Sequence, residues 1–350
     1  MRGTVKGDIK PSHIYNLNIR NGKIDVSYDK EVFTARALNI NGDGFKFNVT
    51  DGRGGRKGIN LGYELEVGDL ALISKFAPGN EFAGSLKAKG RVEGDIKNPR
   101  ITIDGDVNCF KLNDNIKAKT ITIKAEGTPN LAKPDIKAEI NAEAVSVGER
   151  EIESVEIDAD SEGGTGINVE TVITENEDFS YTVHATLRDL TARQKHIEIS
   201  KLLLDLEDSD LENRENILLT IAPGSLVLES FNLYYNDTSA LADATIFFNG
   251  SVDGQVAVNK LSLNDLVKIF DPSTEVEGEL SADITAAGTI TAPEMRAKLN
   301  VANIVYRDFK NDDVELNVSY LERNLNLDFE ITNGGASIMR AKGSSNVTLI

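Results

Sequence analysis

Apolar and polar residues alternate along most of the chain with a period of two. The longest run is PDIKAEINAEA, where Ile136, Ala138, Ile140, Ala142 and Ala144 are separated by charged or amide side chains. Successive side chains of a strand point to opposite faces, so this alternation predicts strands with one apolar and one polar face. Pairs that favour hairpin turns recur between the runs: Asn21-Gly22, Asn41-Gly42, Asp43-Gly44, Gly163-Gly164, Asn249-Gly250, Asp253-Gly254 and Asn333-Gly334. The sequence predicts an all-β fold.

Helix signals are few and occur in two places. Residues 69–76 and 264–270 each place an acidic residue or Asn ahead of a short apolar run. Pro78 and Pro272 follow these runs and predict that each helix ends there. We therefore expect two short helices that are stable only when packed.

The same segment occurs twice, 194 positions apart. Residues 78–99 read PGNEFAGSLKAKGRVEGDIKNP and residues 272–293 read PSTEVEGELSADITAAGTITAP, with eight of 22 positions identical. A weaker copy, GTVKGDIKP, begins at Gly3. The shared positions are prolines, glycines, aliphatic residues and one glutamate (Glu81 and Glu275), and they form no reactive motif. The repeat therefore indicates a repeated architecture rather than a catalytic motif.

The amino-acid composition reduces the number of architectures that the predicted strands could form. Only 6% of the 350 residues are aromatic and Trp is absent, whereas Gly is abundant (29). A globular sandwich of this size is normally anchored by larger side chains, and a narrow solenoid repeats every 20 to 30 residues. The sequence instead predicts a long, curved sheet with an apolar concave face. No Pro-rich or Gly/Ser-rich linker divides the chain, so residues 1–350 are predicted to form one continuous repetitive β-groove.

The alternating aliphatic residues are the candidate lining of that groove. The predicted lining residues are Ile101, Ile103, Ile121, Ile123, Ile136, Ile140, Leu202, Leu204, Leu206, Val314, Leu316, Val318, Leu325, Leu327 and Phe329. Two alternatives stay open at this point. One is a structural or adhesive β-protein whose apolar faces meet, and the other is a scaffold that pairs through an exposed sheet edge.

Charge and reactive residues exclude several function classes. The net charge of −18 would repel phosphates, which argues against nucleic acid as a partner. The three histidines match no metal-ligand spacing, and no nucleotide-binding or nucleophile motif is present. Cys109 is predicted to be a small buried apolar residue. Residues 51–58 (DGRGGRKG) form a glycine-rich basic segment, predicted as a hairpin loop that could cradle a phosphate or lipid headgroup. We predict no enzyme activity, no cofactor and no metal.

The segment LSLNDLVKIFDPSTEVEGELSADITAAGTITAPEMRAKLNVANIVY resembles the bacterial TamB and AsmA-like superfamily. The pattern there is a short helix, a proline, G-x-L-x-A, and a glycine five residues before a second proline. Pro272, Gly278, Leu280, Ala282, Gly288 and Pro293 carry it, and Pro78, Gly84, Leu86, Ala88, Gly94 and Pro99 carry it again. The clear match covers about a hundred residues in two windows.

The resemblance implies a taco-like β-sheet with a hydrophobic interior, in a periplasmic protein anchored to the inner membrane of a Gram-negative bacterium. It implies non-covalent binding of phospholipids in the groove and their transport between the inner and outer membranes. Alternatively, it implies a chaperone or scaffold that assists the assembly or translocation of outer-membrane β-barrel proteins, with a BamA-like barrel protein as partner. The chain lacks the family's N-terminal anchor and barrel-docking end, so only the conduit portion is carried over.

Overall fold

The structure, a computed structural model, describes residues 2–14, 17–56, 58–74, 76–77, 79–161, 164–206, 209–270, 274–289, 292–307, 309–311 and 313–347. These residues form 25 strands and two short helices, which confirms the all-β fold class. The chain divides into two compact units, Met1–Glu177 and Asp178–Ile350. Each contains one copy of the repeated segment and is described by itself.

Unit 1 is an antiparallel meander, because each alternating run is joined to the next by a tight turn. Its elements are β1 (Arg2–Ile9), β2 (Ser12–Ile14), β3 (Leu17–Asp29), β4 (Val32–Gly42), β5 (Phe45–Gly55), β6 (Gly58–Val67), α1 (Ala71–Ser74), β7 (Phe82–Asp95), β8 (Asn98–Leu112), β9 (Ile116–Gly127), β10 (Ile136–Val147), β11 (Arg150–Asp160) and β12 (Gly166–Thr174). Strand β3 pairs with β1, β2 and β4, and from β4 to β12 each strand pairs with the next in sequence.

Unit 2 repeats the meander. Its elements are β13 (Ser180–Arg188), β14 (Lys195–Asp205), β15 (Asp210–Glu212), β16 (Ile217–Ala222), β17 (Ser225–Tyr235), β18 (Thr238–Phe247), β19 (Ser251–Ser262), α2 (Leu263–Phe270), β20 (Glu277–Thr289), β21 (Ala292–Tyr306), β22 (Phe309–Lys310), β23 (Asp313–Leu321), β24 (Asn324–Asn333) and β25 (Ala336–Asn346). Sequential long strands pair antiparallel, and the short β15 and β22 pair with the ends of β14 and β21.

The repeated segment forms the same strand pair in each unit, β7–β8 and β20–β21. The two copies share a bulge where β8 or β21 carries one extra residue. Gly84 (φ 112°) and Gly278 (φ 138°) lie opposite the bulge, and Cys109 and Asn303 lie in it with φ 53° in both. A Cβ at Gly84 would lie 2.7 Å from the carbonyl oxygen of Cys109, so a residue with a side chain would clash with the backbone at this position. Pro78, Pro272 and Ile290 of the repeat fall outside the described residues.

The prediction that Cys109 is a buried apolar residue is wrong. Its thiol is exposed, because the bulge gives the residue a left-handed conformation that breaks the alternation of faces. Sequence alternation places a residue on a face only while the strand is regular, and the bulge interrupts it here.

Two turn predictions and one helix length are also corrected. Asn21-Gly22 lies inside β3 and Asp253-Gly254 inside β19, because cross-strand pairing outweighs the local turn preference of these dipeptides. Helix α1 spans only Ala71–Ser74, one turn of the predicted 69–76. Helix α2 spans Leu263–Phe270, close to the predicted 264–270.

Bulges give each sheet its curvature. Register shifts occur in unit 1 between β3 and β4, β5 and β6, and β7 and β8. In unit 2 they occur between β13 and β14, β17 and β18, β19 and β20, β20 and β21, and β24 and β25. Each extra residue bends its strand and increases the local twist. The sheets are therefore bent at defined positions rather than flat.

Each unit has a cluster of buried side chains near the ends of its strands. In unit 1 the cluster contains Val67, Leu70 and Val107, where the α1 connection folds against the strands. In unit 2 the cluster contains Phe179, Leu206, Leu211 and Leu233. The core is small compared with the length of the strands.

Candidate functional site

Strand register places one continuous apolar face on unit 1. Directly paired residues of antiparallel strands point to the same face. One cross-strand row from β4 to β12 therefore shares a face: Ile40, Phe47, Leu65, Ala88, Gly105, Ile123, Ile140, Ile157 and Thr171. Parallel rows on either side contain the same mixture of aliphatic and small residues. The face is thus a surface of medium-sized side chains across nine strands.

Unit 2 carries an equivalent face. One row from β17 to β25 contains Phe231, Ala242, Val256, Ile284, Ala297, Val318, Leu327 and Gly343. The next row contains Leu233, Ala240, Val258, Ala282, Leu299, Leu316, Phe329 and Ala341. Small residues alternate with larger ones along both rows, which leaves shallow depressions between the larger side chains.

The predicted lining residues of unit 1 all lie on its apolar face. Ile123 pairs directly with Ile140, and Ile121 lies two positions before Ile123 on the same strand. Ile101 and Ile136 both pair with Gly127, and Ile103 pairs with Ala125. Register therefore brings these six residues, predicted from three separate sequence runs, onto one surface.

The predicted lining residues of unit 2 also lie on its apolar face, except that Leu206 is buried in the core cluster, against which Leu202 and Leu204 pack. Val314, Leu316 and Val318 pair with Ile331, Phe329 and Leu327, and Leu325 pairs with Tyr320 on the same face. A bulge at Ser200 keeps Leu202 and Leu204 on the face occupied by Ile199. Leu206 lies beyond the end of β14 and is only 3% exposed, within the cluster of Phe179, Leu211 and Leu233. Its side chain therefore contacts protein rather than an open surface.

The apolar faces are partly open. Ile103 and Leu327 are 38% and 39% exposed, and the other lining residues except Leu206 are half-buried. The accessible surface of the chain is 21458 Å². A compact 38.0 kDa monomer would expose about 14,000 Å², and two separate compact units of half that mass about 17,000 Å². The accessible surface is therefore larger than that of compact domains of this mass, which is consistent with partly exposed apolar faces.

Large aromatic side chains on the face sit beside glycines. Tyr63 pairs with Gly90, and its hydroxyl donates a 3.0 Å hydrogen bond to the carbonyl oxygen of Thr102 on the strand beyond. Burial raises the pKa of Tyr63. Phe33 similarly lies over Gly54 on the neighbouring strand. An aromatic ring covering a glycine on the next strand protects the exposed backbone there. Tyr63 is not among the residues predicted from the sequence, because only the register shows that a glycine lies beside it.

Helix α1 closes one edge of the unit 1 face. Asp69 caps it by accepting a 2.9 Å hydrogen bond from the Ala71 amide. Leu70 is 4% exposed and packs with Val67 and Val107, and Leu72 and Ile121 pack against the same cluster. The helix connection therefore covers the strand ends on this side, and Leu65 and Ile123 of the middle row also pack against the same cluster.

The opposite sheet face is charged, with signs that alternate across strands. In unit 1, Lys46 lies 3.0 Å from Glu66 and Lys89 lies 3.2 Å from Asp104. The hydrogen bond from Lys46 lowers the pKa of Glu66. These pairs are exposed and individually weak, but they keep this face hydrated. The sheet is thus amphipathic, with one face suited to water and one suited to apolar groups.

Residues with catalytic or metal-binding potential do not assemble into a site in the described parts of the chain. No group of three or more His, Cys, Asp or Glu there is placed to hold a metal ion. His196 Nδ1 lies 2.9 Å from a carboxylate oxygen of Asp189 in an exposed pair, and His13 Nδ1 lies 2.7 Å from Asn18 Oδ1. The apolar faces are accordingly the candidate functional site.

Comparisons with known proteins add no family assignment. No protein-family model, curated protein or solved structure matches this chain. The resemblance to the TamB and AsmA-like superfamily stays a prediction. Among the helical residues that the structure describes, none form a helix of the length and apolarity that crossing a bilayer requires.

Proposed function

We propose that this chain is a conduit segment that shields phospholipid acyl chains on its apolar sheet faces. The observation that carries the proposal is a continuous, aliphatic and half-exposed face in each unit, opposite a charged face. Ligand-binding surfaces with few polar groups discriminate little between acyl chains. Such a surface suits a ligand that has to move along it.

Free energies of transfer support this reading. Removing a lipid tail from water is worth about 0.8 kcal/mol per CH₂, so two long acyl chains gain on the order of 20 kcal/mol. A bilayer supplies similar solvation, and exchange between bilayer and sheet is therefore nearly balanced. The rows contain no charged side chain that would hold a lipid in place, and transport needs binding weak enough to allow release.

The proposed setting follows from the resemblance described above. We place the chain in the periplasm, within a longer protein anchored to the inner membrane, where it would carry phospholipids towards the outer membrane. No enzyme chemistry is required for this function, because the lipid is moved without any covalent change.

The test introduces a charge into the apolar face of unit 2. Leu327 is 39% exposed and pairs with Val318 and Gly343 on the apolar face of unit 2. Leu327→Asp should reduce the phospholipid that co-purifies with the chain and its transfer between donor and acceptor vesicles, by about tenfold for 1.4 kcal/mol of lost affinity. Asn326→Asp is the matched control, because it adds the same charge to the adjacent residue on the opposite face.

Equal lipid binding and transfer by Leu327→Asp and Asn326→Asp, with both variants folded, would refute the proposal. Extracted lipid is measured by mass spectrometry and folding by circular dichroism.

An exposed edge favours a second candidate, a scaffold for outer-membrane β-strands. Among the described residues, β25 pairs only with β24, and every residue of β25 is exposed. Such an edge offers backbone groups to an added strand. A photo-crosslinker at Ile338 should then capture a barrel substrate, in wild type and in Leu327→Asp alike. Crosslinking that disappears in Leu327→Asp would count against an edge-based function.

A further inference from the structure

A basic cleft lies at the hairpin tips along one edge of unit 1. Its volume is about 620 Å³, and its lining includes Lys30, Glu31, Arg53, Arg56 and Ile59. Lys30 and Glu31 form the turn between β3 and β4, and Arg53 lies near the end of β5. The segment 51–58, which the sequence predicts to be a loop, belongs to strand β5 through Gly55, and Arg53 is therefore a residue of the sheet. Lys57 lies outside the described residues.

The charge of this cleft is opposite to that of the chain. Three cationic side chains and one carboxylate line it among the described residues, a balance of +2, whereas the whole chain carries −18. Arg56 lies 3.1 Å from Glu31, but the two side chains are 82% and 51% exposed. An exposed pair of this kind contributes little and yields readily to a stronger anion. The cleft is therefore complementary to a phosphate.

The cleft adjoins the apolar face. Ile59 lines the cleft and pairs with Gly54 and Gly94, which belong to the row of the apolar face next to Phe33. Gly54, Gly58 and Gly94 also line it. Arg53 pairs with Thr34 and Asn60 and so lies on the opposite face, and the cleft reaches both faces around the strand ends, next to Lys30 and Arg56 of the turns. A ligand with a phosphate and acyl chains would meet both surfaces at once.

We infer that this cleft binds the phosphate of a phospholipid headgroup while the acyl chains lie on the adjoining apolar face. The inference rests on the proposed function and adds to it a headgroup contact. Arg53 and Arg56 supply bidentate donors for phosphate oxygens, and Lys30 supplies a third cation from the neighbouring hairpin. A headgroup held at the edge would keep its charge in water while the tails lie on the sheet.

The experiment compares three soluble probes on the full chain: dihexanoyl phosphatidylglycerol, dihexanoylglycerol without phosphate, and inorganic phosphate alone. The variants are Arg53→Gln/Arg56→Gln and, as matched control, Lys97→Gln/Lys133→Gln, which removes two cations from other connections at the same edge. Wild type should bind the phosphatidylglycerol about tenfold more tightly than dihexanoylglycerol. The arginine variant should lose this preference with unchanged affinity for dihexanoylglycerol, and the lysine variant should keep it.

Each other outcome overturns the inference. A preference that survives in Arg53→Gln/Arg56→Gln removes the cleft from headgroup binding. Inorganic phosphate bound as tightly as the lipid in wild type would make it a site for free anions. Wild type that binds neither lipid refutes the proposed function as well, whereas intact binding of dihexanoylglycerol leaves that function standing. Lys30→Gln, an exposed change on a separate hairpin, should weaken the phosphatidylglycerol preference about threefold and carries the test if the double variant does not fold.

Discussion

Gly90 makes room for the side chain that spans three strands of unit 1. It lies between Tyr63 on β6 and Ile103 on β8. A Cβ at position 90 would overlap the carbonyl oxygen of Thr102 and lie 2.8 Å from the hydroxyl oxygen of Tyr63. Gly90→Ala therefore requires backbone movement in β8 and displacement of the tyrosine ring. We expect it to destabilise the folded chain although it adds only one methyl group.

The magnitude follows from three contributions. Overpacking costs about 1–3 kcal/mol, and loss of the 3.0 Å hydrogen bond from Tyr63 to Thr102 costs about 0.5–1.5 kcal/mol. Replacing a glycine within a strand returns about 0.5–1 kcal/mol through lower unfolded-state entropy. The expected net loss is about 2 kcal/mol, a large part of the 5–15 kcal/mol typical of a domain.

Urea unfolding followed by far-ultraviolet circular dichroism measures this loss, because the chain has no Trp for fluorescence. Gly7→Ala is the matched control. Gly7 is also a strand residue of unit 1, and a Cβ there meets nothing within 4 Å, so that variant should be neutral or stabilised by about 0.5 kcal/mol. Tyr63→Phe should account for about 1 kcal/mol of the loss. If Gly90→Ala and Gly7→Ala have the same stability, the argument from close strand approach is refuted.

Two further predictions concern the bulge and a pair of carboxylates. Cys109 has φ 53°, and Asn303 occupies the equivalent bulge. Cys109→Asn should therefore preserve stability or raise it by about 0.5 kcal/mol, whereas Cys109→Val should lower it by more than about 1 kcal/mol. Thermal unfolding measures both changes, and equal midpoints for the two variants would contradict the bulge argument. Asp210 pairs directly with Asp205, and its pKa is raised by their hydrogen bond, by burial and by the Asp205 charge. Because its folded-state pKa lies above the unfolded value, its favourable contribution is complete below the unfolded pKa and is lost as pH rises through the folded pKa. Asp210→Asn should flatten this part of the stability profile, at pH values above the ordinary pKa of an aspartate. An unchanged profile would rule the pair out as its source.

Sequence alone predicted the features that depend on local pattern. The period of two in runs such as Ile136–Ile140 identifies strands because a half-buried strand has no other way to separate apolar from polar side chains. The two helices were found from a cap, an apolar run and a proline, although α1 keeps only Ala71–Ser74. The repeat of residues 78–99 also marked a repeated strand pair. The residues that form each of these signals lie within about 20 positions of one another in the sequence, so each signal can be recognised without knowing the tertiary structure.

The features that depend on register needed the structure. Asn21-Gly22 and Asp253-Gly254 have turn sequences but lie inside strands, because ladder hydrogen bonds to neighbouring strands outweigh a local preference. Cys109 follows the alternation of its strand in sequence, yet the bulge turns its thiol outward. Leu206 continues the alternation of Leu202 and Leu204, but β14 ends at Asp205 and leaves Leu206 in the core. Such departures depend on partners distant in sequence.

Sequence by itself determined that this protein has strands with one apolar and one polar face, because alternation is a property of each strand alone. The tertiary structure decided that these faces join into continuous rows, that Tyr63 reaches across Gly90, and that a basic cleft adjoins the apolar face at one edge of unit 1. Register decides such contacts, since sliding a strand by one residue would move its whole apolar set to the other face. The physical reason is that hydrogen bonds between strands, not the sequence of any one strand, fix which side chains become neighbours.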